Sequence, residues 1–216
     1  MGESSIMRAH MTLFQSGNGV YEEKKSRFIG EAYRIRSEEE ALSVLEAVRK
    51  RYYDARHHCY AYVLGVREDT VKCSDDGEPQ KTAGVPILNV IRGAGLTDVL
   101  VVVTRYFGGT LLGTGGLQRA YTKAAALSVE DGGVLKRTPA ARFMVGASYT
   151  DFGKIRYYLT ESGIGFSDEV YGETVECSVS VPFEWEDGVL KKITDLTSGR
   201  AKVGSRKEVY LEERVR

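Results

Sequence analysis

A chain of 216 residues, 42% hydrophobic and 28% charged, has material for one large domain or two small ones and is not a disordered or low-complexity protein. Its 30 basic side chains balance 30 acidic ones, so no overall field draws it to a polyanion, and any nucleic-acid contact must come from a local patch. Three scattered cysteines suit free thiols in a reducing compartment, and with no signal peptide or apolar run of membrane length the expectation is a soluble cytoplasmic protein.

Residues 1–18 read as a loosely ordered start with a short strand near Thr12 to Phe14. Lys24-Lys25-Ser26-Arg27-Phe28-Ile29-Gly30 leads into an extended piece at Ala32 to Ile35. Ser37 with Glu40 three residues on has the capping-box pattern, and Ala41, Leu42, Leu45, Val48 and Tyr52 follow at helical spacing, which predicts a helix over 38–53. His58 to Leu64 alternates as a strand, with Val71 to Ser74 as its hairpin partner across the polar turn at 67–70. Folding at that turn returns Asp75, Asp76 and Glu78 to His57, His58 and Cys59. A helix then opens at Thr82 and runs to about Ile91, with Pro86 tolerated in its first turn.

The stretch from Val99 to Ala126 organises the chain. A β-branched run ends at Arg105-Tyr106-Phe107, a glycine-dense turn follows (Gly108, Gly109, Gly113, Gly115, Gly116), and apolar residues at 117, 120, 121, 124 and 127 mark one face of a helix. Strand, backbone-rich loop and helix N-terminus together make a candidate anion site, to which Arg105 and Arg119 add charge. The glycines fit neither a complete phosphate loop, since Thr114 and Gly115 stand where Lys and Ser/Thr are required, nor a complete dinucleotide fingerprint. They fit equally a tight strand-to-helix connection, and the residues alone leave both readings open.

Beyond Gly132-Gly133 a short extended piece reaches Arg137, and Thr138-Pro139-Ala140 marks a boundary between domains at 1–137 and 140–216. Strands at 141–149, 166–171, 174–181 and 201–211, with helices at 152–162 and 187–196, give the order β-α-β-β-α-β of a ferredoxin-like domain. The fold class is α+β with two domains.

Several groups could carry chemistry. His57, His58, Cys59, Asp75, Asp76, Glu78 and Thr82 form a candidate polar cleft. Their spacing matches no zinc pattern, and adjacent histidines on a strand point to opposite faces, so neither a metal nor a cofactor is expected. A Cys59–His pair has the groups for nucleophilic attack, yet a strand cysteine is more often core, and no catalytic motif is complete. Lys24, Lys25, Arg27, Arg105, Tyr106, Phe107 and Arg119 interleave cations with aromatics, as phosphate pairing and base stacking require. A solvated basic edge beside packed aromatics accounts for the same residues.

KKSRFIG (24–30), the His58 to Tyr62 strand, SDDGEP (74–79), TAGVPI (82–87) and VVVTRYFGGTLLGTGGLQRAY (101–121), in that order, resemble the YigZ/IMPACT family. The resemblance implies an N-terminal domain with the left-handed βαβ fold of the second domain of a small-subunit ribosomal protein. It also implies a C-terminal domain like the fifth domain of elongation factor G. Eukaryotic relatives regulate translation through a protein partner but carry a different second domain. For this chain the resemblance implies association with nucleic acid or the ribosome. The residues leave two alternatives open: an enzyme acting on a small phosphorylated or nucleotide-like substrate, for which the acidic turn, His58 and the glycine loop supply groups, and a protein–protein adaptor.

Overall fold

A computed structural model describes residues 7–215. Two compact units divide the chain, one from Ala9 to Lys136 with the end from Glu213, the other from Arg137 to Glu212 together with Met7 and Arg8. Among the described residues no helix is long and apolar enough to cross a membrane.

The first unit runs β1 (His10–Leu13), β2 (Gly17–Glu23), β3 (Ser26–Arg34), α1 (Glu38–Arg51), β4 (His57–Leu64), β5 (Thr70–Ser74), α2 (Gly84–Gly93), β6 (Val99–Tyr106) and α3 (Gly113–Gly132). Strands β2-β3-β6-β4-β5 form one sheet, antiparallel at every pairing. Central β6 is buried on both faces, which its unbroken apolar run from Val99 to Val103 requires. Val99, Val101 and Val103 join Cys59, Ala61 and Val63 under α2 and α3, while Leu100 and Val102 join Tyr62 and Leu64 under α1. Strand side chains alternate between faces, so a two-residue period separates the two cores.

Helix α1 starts where its cap predicts: the Ser37 hydroxyl accepts the Glu40 N–H at 3.2 Å, and the Glu40 carboxylate reaches back to the Arg36 N–H at 2.7 Å. The expectation of a loosely ordered start is corrected from residue 10 onward, since β1 and all of β2 lie within or directly after it; residues 1–6 of that expectation lie outside the described residues. Strand β2 escapes a hydrophobicity count because its first two inward positions, Gly17 and Gly19, are glycines. A Cβ on Gly17 or Gly19 would lie 2.1 Å from the Ser128 carbonyl oxygen or 2.5 Å from the Leu127 Cβ of α3, and one on Gly30 would lie 2.4 Å from the Ala124 carbonyl oxygen. These glycines let α3 press its backbone onto the sheet.

The second unit takes up β7 (Val134–Ala147), α4 (Tyr149–Glu161), β8 (Gly165–Tyr171), β9 (Val175–Pro182), a 3₁₀ turn at Phe183–Trp185, α5 (Glu186–Thr197), β10 (Lys202–Val203) and β11 (Lys207–Arg214). Strands β8 and β9 pair antiparallel, as do β9 and β7, and β10 and β11 also pair with β7. The β-α-β-β-α-β order holds, with the last strand split at residues 204–206. Its core joins Phe143, Val145, Cys177, Val179 and Val181 of the sheet to Phe152, Ile155, Leu159 and Ile193 of the helices. Strand β7 runs without interruption through Thr138-Pro139-Ala140, the expected domain boundary, and the two compact units divide just before it, between Lys136 and Arg137. Pro139 lies just outside the β7–β9 ladder, which begins at Ala140 opposite Pro182.

Candidate functional site

The sequence-predicted residues gather around one end of the five-stranded sheet. Arg105, near the end of β6, stands between Phe28 of β3 and His57 of β4 in register. The β5–α2 segment crosses there, so the polar cluster does assemble. The Asp76 carboxylate accepts the His58 N–H at 2.7 Å and an Arg49 N–H at 3.1 Å, and the Cys59 thiol donates to the Asp75 carbonyl at 3.0 Å. The two histidines face opposite sides. His57 Nδ1 lies 2.9 Å from the Asp76 carbonyl and His58 Nε2 lies 3.1 Å from the Tyr52 carbonyl, so each of those nitrogens carries the proton.

What this cluster does chemically is hold the fold. Asp75 caps α2: its carboxylate accepts the N–H groups of Lys81, Ala83 and Gly84 at 2.8, 2.9 and 2.9 Å. Burial opposes its charge, but these backbone donors win and hold the carboxyl below its ordinary range. The Thr82 hydroxyl donates to the Pro79 carbonyl at 2.6 Å. Burial pushes the Cys59 thiol far up, the opposite of what a nucleophile needs. Among the described residues no group of three or more His, Cys, Asp and Glu side chains is arranged to hold a metal.

Arg105 requires a correction. Expected to neutralise phosphate, it is only 7% exposed, and its Nη1 donates to Glu78 at 2.7 Å. The same Glu78 oxygen accepts the Tyr121 hydroxyl at 2.8 Å, and the guanidinium lies over the Phe28 and Phe107 rings at 5.4 and 5.5 Å. A charge so enclosed is compensated inside the protein and is not offered to a ligand. Tyr121 is the partner that sequence reasoning missed, since its helical spacing marks it as core and nothing in the pattern reveals its hydroxyl.

The exposed candidates lie around this buried pair. Residues 24 and 25 form the two-residue connection between β2 and β3, closed by Glu23 opposite Ser26, with φ of 46° at Lys24 and 65° at Lys25. Both residues are exposed and have no ion-pair partner among the described residues. The turn rests on Gly108, where an added Cβ would lie 2.0 Å from the Lys25 carbonyl carbon, and the Gly108 N–H donates to the Ser26 hydroxyl at 3.1 Å. Phe107 is 56% exposed. Gly109 and Gly113 take positive φ of 84° and 69°, and a Cβ on either would meet nothing within 4 Å. Helix α3 then starts without a side-chain cap or an acidic residue in its first turn, which contains Gly115 and Gly116, and exposed Arg119 lies along it. Arg27 and Tyr106, paired in register, point to the other face, where the Tyr106 hydroxyl donates to Asp54 at 2.6 Å and is pushed up to about 12 by that bond.

Comparison with known proteins covers both units. Residues 24–129 match the Impact N-terminal domain, and residues 145–200 match a domain of unknown function (DUF1949). The chain is 36% identical over 210 residues to the IMPACT family member YvyE of Bacillus subtilis, spanning 97% of both chains. It is 35% identical over 182 residues to the IMPACT family member YigZ of Escherichia coli, covering 83% of this chain and 89% of that one. A solved structure described as that of a hypothetical protein superposes with a TM-score of 0.60 at 31% identity, covering 93% of this chain and 98% of the other. With the Impact N-terminal domain matched and a relative 36% identical across 97% of both chains, this chain belongs to the YigZ/IMPACT family.

Proposed function

We propose that this protein binds RNA, in the setting of the ribosome and the control of translation, through the end of its N-terminal sheet. The observation that carries the reading is the turn at Lys24 and Lys25. Left-handed φ at two successive positions favours Asn-Gly, and side chains with a Cβ sit there at a cost. Backbone strain kept at an exposed site is a mark of function, and here it holds two unpaired ammonium groups beside a glycine loop. Phe107 adds a ring on which a base can stack. The uncapped start of α3 adds open N–H groups, and Arg119 adds a further cation. An enzyme working in the polar cleft has less support, because Asp75, Glu78, Cys59 and Thr82 are engaged with the protein itself.

The test is co-sedimentation of the purified chain with ribosomes across a salt series, with and without nuclease treatment. The expected result is salt-sensitive association, reduced by nuclease and by the triple substitution Lys24→Gln, Lys25→Gln, Arg119→Gln. Absence of association at every salt concentration, or association indifferent to the triple substitution, overturns the reading.

A further inference from the structure

The side of the sheet covered by α1 is covered only in part. Helix α1 packs over Tyr62, Leu64, Leu100 and Val102, leaving the corner made by β2, β3 and the end of β6 without a helix. A cavity of about 550 Å³ opens there, lined by Asn18, Val20, Arg27, Ile29, Tyr52 and Tyr106. That volume is the size of a small-ligand site.

Its chemistry is specific. Tyr52 and Tyr106 supply two aromatic rings, and Val20 and Ile29 an aliphatic floor. Arg27 is exposed and has no hydrogen-bonded partner among the described residues. Rings over an aliphatic floor call for a flat π-face, and an unpaired guanidinium calls for an anion. A nucleotide carries both. Glu22 opposite Arg27, and Asp54 on the Tyr106 hydroxyl, set acids at the rim. They disfavour a dense run of phosphates and favour a single residue that turns its base inward.

We propose that this slot holds one nucleotide of a single-stranded RNA, its base against Tyr106 and Tyr52 over Val20 and Ile29 and its phosphate on Arg27. The proposal rests on the RNA reading above and extends it, because Arg27 follows Lys25 by two residues and Tyr106 adjoins Phe107. A strand meeting the lysine turn therefore continues onto this face.

The experiment uses the full chain with a fluorescently labelled single-stranded decamer carrying 4-thiouridine. Affinity is read by anisotropy and contact by ultraviolet cross-linking with peptide mass spectrometry. Cross-links are expected on Tyr52 or Tyr106. Tyr106→Ala is expected to weaken binding about tenfold, the effect of one lost stack, and Tyr106→Phe to restore it. Arg27→Gln, at an exposed and unpaired side chain, keeps the test valid if Tyr106→Ala fails to fold, and is expected to weaken binding and flatten its salt dependence. Cross-links confined to the lysine turn and residues 107–119, with Arg27→Gln at wild-type affinity, overturn the slot and leave the broader reading standing. No binding of the decamer by the wild-type chain at any salt concentration overturns both.

Discussion

Replacing Lys24-Lys25 by Asn-Gly separates the two consequences of the β2–β3 turn, because stability and binding should move in opposite directions. Both lysines have φ in the left-handed region, 46° and 65°. That conformation costs an ordinary residue about 1–2 kcal/mol. Glycine at 25 removes the cost there, though its freer unfolded chain takes back about 0.5–1 kcal/mol, and asparagine at 24 relieves part of the rest. The net gain is about 1 kcal/mol, which raises Tm by about 2–4 °C in a protein of this size. Meanwhile two cations leave the surface. For single-stranded RNA each lost phosphate contact lowers the slope of log K against log salt by about 0.7, so two lower it by about 1.4. Thermal denaturation reads the first effect, and anisotropy with a labelled single-stranded RNA across a salt series reads the second. Lys24→Gln with Lys25→Gln removes the charge while keeping the strained turn, so it should match Asn-Gly in binding and the wild type in Tm. A lower Tm for the Asn-Gly variant refutes the strain argument, and an unchanged salt slope refutes the phosphate role.

Two further predictions concern the ion pairs inside each unit. Arg105→Ala leaves Glu78 and Tyr121 buried without their cation and should destabilise the N-terminal unit by about 3–5 kcal/mol, whereas the apolar pair Arg105→Met with Glu78→Leu should recover most of that loss. Urea unfolding measures both, and a loss below about 1 kcal/mol for Arg105→Ala counts against the buried pair. In the C-terminal unit, hydrogen bonds from Arg200 and then Lys154 hold the Asp151 carboxyl at about 2, below its ordinary 3.8. A lowered carboxylate contributes stability that is complete above pH 3.8 and is lost as pH falls through about 2. Asp151→Asn should therefore melt below the wild type at neutral pH and converge with it by about pH 2. Parallel melting curves across that range refute the assignment.

The elements that could be read from the sequence are those whose local pattern and burial agree. Helix α1 declared its cap at Ser37 and its stripe through Val48, and β6 declared its double burial by an unbroken apolar run rich in valine. The return of Asp75 and Asp76 to His58 and Cys59 followed from the β4–β5 hairpin alone. Strand β2 was hidden because Gly17 and Gly19 occupy two of the three inward positions up to Tyr21, where a strand normally shows apolar side chains. Only the approach of α3 explains those glycines.

The same division holds at the candidate site. Sequence alone brought Asp75 and Asp76 beside His58 and Cys59, since hairpin geometry follows from alternation and turn length, whereas the pairing of β6 with β3 and β4 that sets Arg105 between Phe28 and His57 came only with the tertiary structure. Nor did sequence determine which charges remain free. Arg105 and Arg27 lie on adjacent strands of one sheet, yet Arg105 faces the helix-covered core, where Glu78 and Tyr121 close on it, and Arg27 faces the uncovered corner. Asp75 and Lys25 are likewise both polar residues in short connections. Asp75 is turned inward by the N–H groups at the start of α2, and Lys25 is held outward by the backbone packed on Gly108. Partnering depends on contacts between segments far apart in the chain, and those contacts exist only once the helices have docked.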